Sequence, residues 1–129
     1  MDPGPLVKEQ IDAGASLLTE FEKTVPVAAA FWLKGQDQDS WYLYVIPDRL
    51  EDDGRRGAER EVLRVILSMR DPNLGPLDVR LIKPSDPLAR AALDYQRLYP
   101  GKAVCLRDRV FGDRGIDEVY IYPAPVAVP

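Results

Sequence analysis

Residues 41–46, WYLYVI, restrict the fold of this chain more than any other stretch. They are aromatic or branched, which favours extended backbone, and the side chains of a strand alternate between its two faces. Trp41, Leu43 and Val45 fall on one face, and Tyr42, Tyr44 and Ile46 on the other, so neither face is polar. Such a strand is covered on both sides, or has one face on the core and the other in an interface. The apolar run VPVAAAFWLK precedes it across the turn residues GQDQDS, so the two runs read as a β-hairpin that Pro47 closes.

Helical periodicity supplies what can cover that hairpin. Val7, Ile11, Leu17, Leu18, Phe21 and Val25 form one stripe on a helix over about 6–23, stopped by Pro26. Gly14 falls on the stripe, where it would let another backbone approach. A second helix is expected over about 57–70, with Ala58, Val62, Val65, Ile66 and Met69 inward and Glu59, Arg60, Glu61 and Arg64 mostly outward. Between these helices and the C-terminus, LDVRLIK alternates as a third strand with one largely polar face. In SDPLARAAL, Asp86 or Ser85 can cap a third helix and Pro87 fits its first turn; Pro100 and Gly101 end it. KAVCLRDRVF and EVYIYP flank GDRGID as a second hairpin. The expected fold is a single α+β domain over 1–122, in the order α-β-β-α-β-α-β-β, with three helices on a mainly antiparallel sheet of about five strands. Residues 123–129, with their closely spaced prolines, are expected to be an extended tail.

Composition narrows the chemistry. A chain of 129 residues is one ordinary domain, and its 46% hydrophobic content suits a soluble globular core. The sequence contains no histidine, which removes Ser-His and Cys-His catalysis and histidine zinc sites. Cys105 is the only cysteine, so an internal disulfide and an all-cysteine zinc site are excluded; between Val104 and Leu106 it reads as a buried structural thiol. The net charge of −4 disfavours long duplex nucleic acid, which needs clustered positive charge. The N-terminus lacks the basic and apolar regions of a secretion signal, and the longest run with few charges, 25–33, is too short to span a bilayer. A cytoplasmic protein without a membrane partner is the expectation.

Few motifs carry chemistry. Gly101-Lys102 lacks the earlier glycine and the following Ser or Thr of a phosphate-binding loop, and no GxGxxG is present, so no cofactor is expected. Pro47-Asp48, Asp78 and Arg80 resemble a degenerate PD-(D/E)xK nuclease signature, with arginine standing where that family has lysine. The resemblance implies a metal held between Asp48 and Asp78, and it ranks behind the other readings; no metal site is otherwise expected. Tyr42 with Tyr44, and Tyr120 with Tyr122, each share one face of a strand and could present rings for single-stranded nucleic acid, rimmed by Arg80, Arg107 and Arg109. Arg55, Arg56, Arg60 and Arg64 could line one approach as a charged docking patch. Aromatic rings and arginine are enriched at interface centres. The leading expectation is therefore a small non-catalytic protein-interaction module. It would bind a protein partner, or itself as a homodimer, through an aromatic sheet face or edge at Tyr42, Tyr44, Tyr120, Tyr122 and these four arginines. Nucleic acid is the alternative partner.

Overall fold

The computed structural model describes residues 4–123. Three helices, α1 (Lys8–Glu22), α2 (Asp52–Met69) and α3 (Pro87–Leu98), enclose a five-stranded sheet. Its strands are β1 (Val27–Gly35), β2 (Tyr42–Pro47), β3 (Val79–Leu81), β4 (Val104–Phe111) and β5 (Arg114–Ile121), ordered β3-β2-β1-β5-β4. Every pairing is antiparallel except β2 with β3, which α2 connects as a crossover. The element order and the α+β class are those the sequence leads one to expect. Of the proline-rich tail, residues 124–129 lie outside the described residues.

The hairpin of β1 and β2 lies inside the sheet and is covered on both sides. Trp32, Trp41, Leu43 and Val45 pack under α1 and α2 with Leu17, Leu18, Phe21, Val62 and Val65. Phe31, Leu33, Tyr44 and Ile46 pack on the opposite face with Leu88, Ala89 and Ala92 of α3. Neither face of β2 could be left in water, because fully burying a residue such as Ile46 or Leu43 is worth about 1.5–3 kcal/mol. Two core layers follow from that one doubly apolar strand.

Four local expectations change. The second helix starts at Asp52, not near 57. Gly54 and Gly57 point into open space, and each costs roughly 1 kcal/mol of helix propensity. The extension is supported by Asp52 and Asp53 in the first turn, where they oppose the helix dipole, and by Arg55 lying 3.6 Å from Glu59. The third strand shrinks to Val79–Leu81, because Pro76–Asp78 forms a 3₁₀ turn in which Asp78 Oδ2 accepts from Gly75 N at 2.7 Å. Leu77 is consequently thrown outward instead of aligning with Val79. The last loop shortens, and β5 begins at Arg114.

Gly112 explains that short loop. Its φ of 65° suits glycine, and an added Cβ would lie 2.8 Å from Pro87 O. The hairpin tip is thereby seated against the start of α3, which places Arg114 near Asp86 and Leu88. The fourth change concerns Cys105, which is exposed on the edge strand β4 and not buried. Leu106, its neighbour, takes the inward position of the alternation.

Candidate functional site

The four tyrosines singled out from the sequence do not form one surface. Phe31 pairs with Tyr44 on one side and with Ile121 on the other, so Tyr42 and Tyr44 share the α3 face. Tyr120 and Tyr122 lie on the face under α1 and α2. Tyr122 is buried; its hydroxyl accepts from Trp32 Nε1 at 2.9 Å and donates to Ile11 O at 2.7 Å. Gly14 makes this possible, since an added Cβ would collide with that hydroxyl; a side chain, not a backbone, exploits the glycine. Burial pushes the Tyr122 phenol well above its ordinary range, against a smaller downward pull from the Trp32 hydrogen bond. Burial likewise raises Tyr120, with smaller contributions from Cys105 and Asp12. Neither tyrosine pair presents a nucleic acid with two open rings.

The arginines divide as well. Arg55 turns toward the sheet, and its Nη1 donates to Leu81 O at 3.3 Å. Arg64 Nε donates to Glu61 Oε1 at 2.9 Å on the exposed side of α2. Arg56 and Arg60 are exposed and lie on the same side of α2 as Leu63 and Leu67, by the 3.6-residue turn. Four arginines on one helix thus serve at least two directions.

Asp48 and Asp78 are separated by topology. Leu43 pairs with Val79 and Val45 with Leu81 in parallel register, so Asp78 precedes β3 while Asp48 follows β2. Their levels differ by six residues, or about 20 Å at roughly 3.3 Å per residue. They cannot share an ion at metal–oxygen distances near 2–2.6 Å. Among the described residues there is no cluster of three acidic or cysteine side chains placed to hold a metal.

A different arrangement stands out at the β3 edge. A cleft of about 640 Å³ opens between α2, β3 and the start of α3. Val62, Leu63, Ile66, Ile82 and Leu88 line it, together with Tyr44, Arg55, Glu59, Arg80, Asp86 and Arg114. Tyr44 is only 3% exposed and stacks on Phe31 with ring centres 5.1 Å apart. Its hydroxyl has no hydrogen-bond partner, alone among buried side-chain polar atoms of the described residues. Arg80, the Cα partner of Tyr44 across the β2–β3 ladder, holds its guanidinium 3.9 Å from the Tyr42 ring centre. The acids in the cleft are already engaged: Glu59 is near Arg55 at 3.6 Å, and Asp86 Oδ1 caps α3 by accepting from Leu88 N at 2.9 Å.

Sequence reasoning identified Tyr44, Arg55 and Arg80 separately, but not the cleft that joins them. Arg114, Leu63 and Leu67 were missed. The leucines left a signal, since neither belongs to the inward stripe of α2. Comparison with protein-family models, curated proteins and solved structures gives no match.

Proposed function

We propose that this protein is a non-catalytic interaction module that engages a protein partner, or a second copy of itself, at the β3 edge of the sheet. One observation carries the reading: large apolar side chains stand in solvent beside an open strand edge. Leu77 is 89% exposed, Leu67 61% and Leu63 43%, and Leu63 and Pro76 continue into the cleft wall. Ile82 N donates to Val45 O at 3.1 Å, so alternation turns the backbone groups of Val79 and Leu81 to the outer side. Arg55 already serves Leu81 O, and Arg56 and Arg60 flank the leucines. Apolar centres with arginine around them are what interface cores favour. On this reading the binding surface has moved from the tyrosines, two of which are core, to α2 and the β3 edge.

A photo-crosslinking residue placed at Leu67 tests the proposal in the native cell. It should give one discrete adduct, either with another protein or at twice the 14.5 kDa chain mass. The same residue placed at Lys8, on the exposed side of α1, should give none. Equal labelling from both positions, or none from either, removes this reading.

A further inference from the structure

We propose that the cleft at the β3 edge is a binding site for a small organic carboxylate with an apolar chain or ring, held by Tyr44 and Arg80. The inference goes beyond protein docking at the rim and does not rest on it, since it concerns the isolated chain.

The Tyr44 hydroxyl is buried and makes no hydrogen bond. A buried hydroxyl without a partner costs about 1–3 kcal/mol, and phenylalanine would fill the same stacked position on Phe31 without that cost. Tyr44 is in the wall of a cleft of about 640 Å³, within the range of roughly 300–1,000 Å³ that holds small ligands. The hydroxyl itself is closed to water, so a partner reaches it only by seating a polar atom against that wall and displacing what covers it. Because Tyr44 is 3% exposed, that partner has to be a group inserted past the rim, not a broad surface laid across it.

Charge then selects the class of ligand. Glu59 and Asp86 are satisfied by Arg55 and the α3 backbone. The Arg80 guanidinium has no ion pair or side-chain hydrogen bond among the described residues and lies over the Tyr42 ring. Arg114, near Asp113 at 3.6 Å, adds a second positive group to the wall. A guanidinium donates to both oxygens of a carboxylate, and a phenol can donate to one of them. Leu63, Ile66, Ile82 and Leu88 provide the apolar wall for the remainder of the molecule. An inorganic anion would leave that wall unused, and a cation would meet Arg80.

Calorimetric titration of the isolated protein with octanoate, octanol and acetate separates these contributions. Octanoate should bind one to one, with octanol and acetate each at least about tenfold weaker. Tyr44→Phe and Arg80→Leu should each weaken octanoate about tenfold while leaving octanol unchanged. Octanoate binding no tighter than octanol, or equal in wild type and both variants, overturns the assignment. Should Tyr44→Phe lose its native circular dichroism, Arg80→Leu, at an exposed position, still decides the matter. These outcomes are independent of crosslinking at Leu67.

Discussion

Tyr122, just past the end of β5, and Tyr44, within β2, are buried on opposite faces of the sheet at 4% and 3% exposure, and their hydroxyls fare differently. Tyr122 closes a bridge from Trp32 on β1 to the Ile11 carbonyl on α1. Tyr44 stacks on Phe31, and its oxygen bonds to nothing. The difference lies in what covers each face. Two helices of 15 and 18 residues cover the face that holds Tyr122, and Gly14 lets α1 come down onto its hydroxyl. A single 12-residue helix covers the other face, and it leaves an open end beside the short edge strand β3. Equal burial therefore does not mean equal satisfaction. The α1/α2 face is completed from within the chain, whereas the α3 face keeps an unpartnered polar group on a residue that lines a cavity.

Four measurements would break or sharpen that contrast. Gly14→Ala should have the largest effect, about 2–4 kcal/mol in urea unfolding, because its methyl displaces the Tyr122 hydroxyl and leaves both partners unpaired. Tyr122→Phe alone should cost about 1–3 kcal/mol, since Trp32 Nε1 and Ile11 O lose a buried partner. The double variant should cost less than the sum, because phenylalanine removes the oxygen that alanine strikes; strictly additive losses would show that Gly14 acts elsewhere.

The third measurement is pH dependence. Burial holds the Tyr122 phenol protonated to higher pH in the folded chain than in the unfolded one. The folded state then binds more protons above the unfolded value near 10, so this contribution is complete below about pH 10 and is lost as pH rises beyond it. Urea unfolding of wild type should weaken relative to Tyr122→Phe by up to about 1.4 kcal/mol per pH unit above that point. Parallel curves would contradict the burial of Tyr122. Tyr44→Phe should cause no loss of stability and a gain of up to about 1–3 kcal/mol, because no bond is lost and an unpartnered buried hydroxyl is removed. A loss as large as that of Tyr122→Phe would mean its hydroxyl has an internal partner, and the contrast would fail.

How much of this was readable beforehand varies by element. The first hairpin and the division of β2 into two apolar faces followed from period-two alternation, which needs no knowledge of neighbours. The start of α2 did not, because Gly54 and Gly57 read as turn residues; the support from Arg55 depends partly on the Leu81 carbonyl, 26 positions away. Residues 77–83 alternate cleanly, yet Asp78 bonds to Gly75 N and turns the first part into a 3₁₀ turn. Cys105 was misplaced because apolar neighbours imply a buried strand only when both faces are covered, and β4 is an edge. The cleft was the least visible feature. Tyr44, Arg55, Arg80 and Arg114 come from β2, α2, β3 and the second hairpin, and no local spacing brings them together.

The sequence by itself determined the helices, the strands and the need to cover β2 on both sides, since these follow from the side-chain periods of 3.6 and 2. Only the tertiary structure decided which helix covers which face, that β3 joins in parallel, and which of two buried tyrosines finds a partner. Those outcomes depend on contacts between distant positions; Trp32 and Tyr122 are 90 residues apart, and no local pattern encodes whether their atoms will meet.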